Sequence, residues 1–441
     1  MPKIRNSDYD KILFMTFLDK SVKFLVRVGR ILFLLVISSI ILVRSAIPWG
    51  DEVEQIRVLT REKEFNFVDW TLNALGMKSI QVSLNLEKFI KTEKENELVQ
   101  EYLEQVVLVQ RMNNSLELIY SDPQTKDPES AGKELIESIK TEQARLDDLS
   151  VLAETILQDQ VAEILVDLNL DFAGEIIPPV AYHVSELPLA LVVSPRDEIR
   201  RITDISLETK FSAKDKAELE DSVTEELNLS ALVVPIGGLS AYPTMVMQSS
   251  DLSWLVEAIG HEWVHNYLSA QPIGINYGAS SEMRSINETT ASLAGAEISH
   301  ALLSKYYPDL LPKPIDQPPS PTEDIPLDAP PSFNFREEMR ITRVAVDSFL
   351  EQGMIEEAEE YMEQRRQFFW DNGYLIRKIN QAYFAFYGAY NDQPGGGASG
   401  NDPVGPMVRL LREKSENLSE FLKKIARVNS FPSLQNLVKD Q

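Results

Sequence analysis

Cysteine is absent from the 441 residues, which excludes disulfides, thiolate metal sites and cysteine nucleophiles. Histidine is scarce: His183, His261, His265 and His300 are the whole supply, so any imidazole chemistry must use these four. Positive charge is short as well. The chain has 43 Lys and Arg against 68 Asp and Glu, for a formal net charge of -25. Such a field repels phosphate backbones and anionic headgroups, so nucleic acid is not expected as a partner of the main body. The acidic surface serves solubility. Hydrophobic content of 44% and charged content of 25% are those of a globular chain, and the length calls for two or three folding units.

What is present begins with a charge asymmetry. Lys3, Arg5, Lys11, Lys20, Lys23, Arg27 and Arg30 precede a charge-free run over residues 31–43, and Asp51, Glu52 and Glu54 follow it. Basic residues before the run and acidic residues after it orient the N-terminus inside and the body outside. The run is shorter than the roughly 17–25 residues of a spanning helix. Snorkelling by Arg30 and Arg44, and extension through residues 45–49, would lengthen it. A cleaved signal ending near Ser45 or Ala46 and a buried helix are the competing readings. The expectation is a cytoplasmic tail and membrane anchor or signal over residues 1–50, contacting the bilayer through residues 31–47. The protein would then be single-pass in the cell membrane with its body extracytoplasmic, or secreted if the segment is cleaved.

Residues 51–174 read as a helical region, because Leu84, Leu86, Phe89, Leu98, Tyr102, Val106 and Val107 recur at helical spacing. The turn-rich stretch 121–128 divides it into at least two helices, packed on each other as a hairpin. Runs near residues 189–193, 202–211, 232–235 and 240–247 read as strands, 215–227 as a short helix, and 252–270 and 281–307 as long ones. Residues 175–310 thus form an α+β unit with a small mixed sheet. The proline-rich stretch 311–333 is a surface loop or a lid. Residues 334–441 are again helical, interrupted by the glycine-rich loop 394–400. The fold class is α+β, mostly helical.

The chemistry concentrates in His261-Glu262-Trp263-Val264-His265. Four residues along a helix is about 40° of rotation and about 6 Å of rise, so both imidazoles leave one face and can reach one metal ion. Glu262 stands beside them, able to take a proton from an attacking water and pass it to a leaving amine. Zinc suits such a set: it polarises a carbonyl and provides a nucleophile near neutral pH. Trp254, Leu255, Ile259 and Trp263 embed the helix, and a buried helix carrying two histidines and a glutamate needs a reason that a metal supplies. The third ligand should be a downstream carboxylate. Glu288, in Asn287-Glu288-Thr289-Thr290-Ala291, is preferred, with Glu282 and Glu297 as alternatives. His183 and His300 are read as structural.

The combination HEWVH with NETTA resembles the gluzincin metallopeptidases, the group containing thermolysin and aminopeptidase N. The resemblance implies a thermolysin-like catalytic domain in which the active-site helices carry a small sheet. It also implies one zinc ion on His261, His265 and Glu288, with Glu262 as general base acting on a zinc-bound water. By the same resemblance, residues 237–246 stand where the gluzincin edge strand pairs with an extended substrate, which points to Gly238, Ser240, Ala241 and Tyr242 as substrate-binding residues. No histidine follows His300, so a thermolysin-like histidine donor is absent, and the resemblance to the aminopeptidase branch makes tyrosine the natural substitute as oxyanion donor. Tyr383, Tyr387 and Tyr390 are the candidates. The C-terminal helices loosely resemble a bacterial family of predicted aminopeptidases, which favours exopeptidase action on a peptide or protein substrate and gives these helices the task of completing the cleft.

The expectation is therefore a membrane-anchored zinc metallopeptidase with aminopeptidase character. The alternatives are a non-catalytic extracytoplasmic binding or scaffold protein with a structural metal, and a hydrolase of non-peptide amides.

Overall fold

A computed structural model describes residues 51–84, 92–121, 125, 127–311, 333–388 and 403–439. The chain divides into two compact units, residues 1–58 and 59–441. Of the first unit only residues 51–58 are described, where the Asp51 carboxylate accepts from the Val53 and Glu54 amides and opens helix α1 (Glu52–Thr60).

One expectation is corrected here. Among the described residues no helix is long and apolar enough to cross a membrane, which stands against the single-pass membrane placement. The long helices carry charged residues along their whole length, as an amphipathic helix facing water must. Residues 31–47, which carried that placement, lie outside the described residues.

The second unit is mostly helical. Helix α2 (Phe67–Leu84) leads to α3 (Thr92–Ser121) and α4 (Pro128–Asp167), which pack along one another. Asp127 caps α4 by accepting from the Ser130 amide, and Pro128 sits at a first-turn position where its missing N–H costs nothing. Val99, Tyr102 and Val106 of α3 meet Leu146, Ala153, Ile156 and Leu157 of α4 in one core. This is the packed helical pair that the sequence periodicity predicts.

The strands form two sheets rather than one. Strands β2 (Leu189–Pro195), β3 (Thr203–Leu207) and β4 (Leu229–Pro235) make an antiparallel sheet in the order β3-β2-β4. Strands β1 (Tyr182–Val184), β5 (Gly238–Leu239) and β6 (Thr244–Val246) make a mixed sheet in the order β1-β6-β5. Helix α5 (Ala213–Leu227) connects β3 to β4 and starts with a reciprocal capping box between Ser212 and Asp215.

Helices α6 (Leu252–Leu268) and α8 (Ser281–Tyr306) form the centre of the unit, joined through the single turn α7 (Pro272–Ile275). They approach unusually closely at two glycines. A β-carbon on Gly260 would lie 3.2 Å from the Gly295 Cα, and one on Gly295 would lie 2.7 Å from the Glu257 carbonyl oxygen and 3.0 Å from the His261 nitrogen. Helices α9 (Phe335–Glu351), α10 (Ile355–Asp371) and α11 (Gln381–Tyr387) pack with Val192 and Val234 of the antiparallel sheet in a second core. Helices α12 (Val404–Glu413), α13 (Leu418–Ile425) and α14 (Phe431–Lys439) return to the first core against α8. That core therefore draws on three of the segments recognised in the sequence. Of the proline-rich loop, residues 312–332 lie outside the described residues.

Candidate metal centre

Helix α6 is opened by the Asp251 carboxylate, which accepts from the Trp254 amide, and buries Leu255, Val256, Ile259 and Val264 in the core. His261 and His265 emerge on one side of it. Helix α8, opened by Ser280, presents Glu288 from its second turn. His261, His265 and Glu288 offer ligand atoms that all lie within 4.8 Å of one another. In detail, the two Nε2 atoms are 3.0 Å apart, and Glu288 Oε2 is 3.4 Å from each of them. Ligands bound at about 2.0–2.1 Å with tetrahedral angles lie about 3.3–3.4 Å from one another, so the triangle already has the size a metal ion requires. Glu288 Oε2 is buried and has no hydrogen-bond partner, a costly state for a carboxylate oxygen unless it serves a cation.

The other atoms of the cluster are held. The His265 Nδ1–H donates to Asn287 Oδ1 at 2.7 Å, which orients the ring with Nε2 toward Glu288. His261 Nδ1 lies 3.5 Å from Ser292 Oγ. The Tyr277 hydroxyl donates to Glu288 Oε1 at 2.5 Å, so one oxygen is fixed and the other is free. Burial works against the Glu288 carboxylate, but the His265 charge and both imidazole contacts outweigh it and hold its carboxyl well below the usual range. His265 shows the reciprocal effect. Burial disfavours its cation, yet Glu288 pushes it up to about 9.

Glu262 is buried beside the cluster, where burial raises its carboxyl above the ordinary range against the pull of both imidazoles. The Ser240 hydroxyl is close enough to favour its charged form in part. Gly238 leaves the necessary space, since a β-carbon there would fall 2.5 Å from Glu262 Oε1.

A cavity of about 540 Å³ opens onto His261, Glu262, His265 and Glu288. Of the substrate-strand candidates, Gly238 and Ser240 line it, and β5 is an edge strand of its sheet. Ala241 and Tyr242 are not on its wall: the Ala241 carbonyl accepts from Asn266, and Tyr242 is exposed with its hydroxyl on the Pro179 carbonyl. Tyr387 does line the cavity, brought there with Phe386 by α11. Tyr383 instead packs into the second core, its ring 4.6 Å from that of Tyr387. Tyr390 lies outside the described residues.

The alternative ligands are engaged elsewhere. Glu282 is exposed in the first turn of α8 beside Ser281, and Glu297 pairs with Arg412 through both carboxylate oxygens at 2.6 and 2.9 Å. His183 contacts the buried Glu154, and His300 lies exposed near Ser304.

Four residues at or beside the site have no place in the sequence reading: Tyr277, Arg201, Arg284 and Glu257. Glu257 had a signal, since it precedes His261 by one helical turn and so shares its face. Arg284 stands in the same relation to Glu288. Tyr277 and Arg201 sit in connecting segments without periodicity, and nothing local announces them. No known protein family, curated protein or solved structure matches the chain.

Proposed function

We propose that the protein is a zinc-dependent metallopeptidase of gluzincin type, with His261, His265 and Glu288 as the metal ligands and Glu262 as general base. The observation that carries this reading is Glu288 Oε2, buried, without a hydrogen bond, and 3.4 Å from both histidine Nε2 atoms. Two imidazoles and one carboxylate are the donor set of a catalytic zinc site that keeps a position open. When bound, zinc supplies Lewis acidity toward the scissile carbonyl and lowers the pKa of water.

The chain's own residues divide the remaining work. Asn287 and Tyr277 orient two ligands. Glu262, whose burial raises its proton affinity, takes a proton from the attacking water and returns it to the departing amine. The edge backbone at Gly238 and Ser240 aligns an extended peptide. Tyr387, on the cavity wall, is the tyrosine suited to donate to the developing oxyanion. A purely structural metal would need neither a buried carboxylate beside it nor a cavity in front of it.

The test is metal analysis of the purified protein combined with hydrolysis of a peptide library. One equivalent of zinc is expected, with hydrolysis reduced about 10²- to 10⁴-fold in Glu262→Gln while zinc is retained. Folded protein that takes up no zinc, or a Glu262→Gln variant with undiminished hydrolysis, would sink the reading.

A further inference from the structure

Four carboxylates line the cavity, those of Asp204, Glu257, Glu262 and Glu288, and three of them are engaged. Glu288 Oε2 faces both imidazoles, Glu262 is packed against Gly238, and Asp204 Oδ2 lies 3.5 Å from Arg201 Nη1. Glu257 is the exception. Among the described residues it makes no hydrogen bond and no ion pair, although it is half-buried on the cavity wall. Burial raises its carboxyl against the pull of His261, one helical turn away, and the charge of Asp251 adds to the rise. A carboxylate drawn partly out of water with no cation beside it is costly, and a cationic ligand relieves that cost.

The surroundings of Glu257 fit such a ligand. Trp254 lies one turn before it on α6, a spacing that puts the two side chains on one face with their β-carbons about 5–6 Å apart. Both line the cavity, and the indole is only partly buried. It rests against the start of the edge strand, since a β-carbon on Gly237 would lie 3.3 Å from Trp254 Cζ2. Gly238, the next residue, meets Glu262 in the same way. One step along a strand is about 3.3 Å, so Trp254 and Glu257 flank a position one residue away from the proposed general base. An aromatic face beside a carboxylate attracts an ammonium or guanidinium twice over, through the ring quadrupole and through charge-assisted hydrogen bonds.

We propose that Glu257, together with Trp254, forms a subsite for a cationic group of the peptide substrate next to the metal centre. The proposal rests on the metallopeptidase reading and narrows its substrate class. The cation has two sources, the free α-amine of the peptide or a Lys or Arg side chain beside the scissile bond. The net charge of -25 draws either kind of substrate toward the cavity.

The experiment measures binding, so that it does not depend on turnover. The full-length, zinc-loaded Glu262→Gln protein is titrated with three kinds of peptide. These are trialanine amide with its amine free, neutral acetyl-trialanine amide, and acetylated peptides in which lysine replaces each alanine in turn. At least one cationic peptide is expected to bind about tenfold or more tighter than the neutral one. If the free amine carries the gain, the source is the peptide's N-terminus; if an acetylated lysine peptide does, it is the side chain. Adding Glu257→Gln should bring all the peptides to within about twofold of one another, with Glu257→Asp in between. Should Glu257→Gln fail to fold, Trp254→Leu, expected to cut the preference about two- to fivefold, and the cation-to-neutral ratio of the parent protein carry the test. Peptides bound alike, or none bound, overturn the subsite, as does a preference that survives Glu257→Gln. A cation preference abolished by Glu257→Gln in a protein that, with Glu262 restored, hydrolyses no peptide would sink the peptidase reading and leave the subsite standing.

Discussion

Gly238 and Glu262 are packed so closely that a β-carbon on the glycine would fall 2.5 Å from Oε1 and 2.9 Å from Cγ of the glutamate. The edge strand and the proposed general base are thus fitted to each other, and the fit depends on a missing side chain. Gly238→Ala should displace the Glu262 carboxylate without touching His261, His265 or Glu288. The expected result is a fall of about 10²-fold in kcat/KM, the scale of a displacement of about 1 Å in a reacting group, at unchanged zinc content. Metal analysis alongside peptide hydrolysis separates the two. A variant with full activity would show that Glu262 has room to spare.

The proposed ligands are oriented by groups that would not touch the metal. Asn287 fixes the His265 ring and Tyr277 fixes one oxygen of Glu288. Asn287→Ala and Tyr277→Phe should each weaken zinc binding about 10- to 100-fold, the usual cost of losing such a partner. Competition with a chromophoric chelator reads this directly. Glu282→Gln, altering an exposed first-turn residue of α8, should leave zinc affinity as it is, and a comparable loss there would mean that the ligand set has been misassigned.

How much of this was legible follows from how far each signal reaches along the chain. HEWVH and NETTA announce themselves because one helical turn brings their members to a common face, and the structure sets His261, His265 and Glu288 together. The helices could be read in the same way, with ends marked by Asp127, Ser212 and Asp251. The second sheet could not. β1 is three residues long and pairs in parallel with β6, which lies some sixty positions later, so no local pattern specifies it. Tyr383 and Tyr387 are four residues apart on one helix, yet only Tyr387 reaches the cavity. Periodicity predicts a shared face but not which wall that face meets.

The crossing of α6 and α8 gives a further expectation. At Gly295 the obstacle to a side chain is backbone, the Glu257 carbonyl at 2.7 Å and the His261 nitrogen at 3.0 Å, and backbone in a packed helix pair cannot swing aside. Gly295→Ala should therefore force the helices apart, at a cost of about 1–3 kcal/mol from overpacking. The same shift moves His261 away from Glu288. Reduced stability in denaturant and reduced zinc affinity are expected together. A variant as stable as the parent would mean that the helices are less closely apposed than described.

The last expectation concerns pH and lies away from the metal centre. Glu154 is 2% exposed and accepts from Lys78 Nζ at 2.6 Å, from the Val184 amide at 2.8 Å and from His183 Nδ1 at 2.9 Å. It ties α4 to the first strand of the mixed sheet. Burial alone would raise its carboxyl, but the His183 and Lys78 contacts prevail and hold it below its ordinary value of 4.5. Burial also pulls Lys78 down against the attraction of Glu154; the carboxylate, with three donors, decides the charge state of the group. A carboxyl depressed in the folded state binds fewer protons there than in the unfolded chain. Its contribution is therefore complete above about pH 4.5 and is lost as pH falls through the lower folded value. Glu154→Gln should cost about 3–5 kcal/mol at pH 7, since it leaves Lys78 buried without its partner. Urea unfolding of parent and variant from pH 7 to pH 3 should show the gap between them constant down to about 4.5 and shrinking below. A gap that stays constant to pH 3 would mean that Glu154 does not titrate with folding, and the charge-based account of this contact would fall.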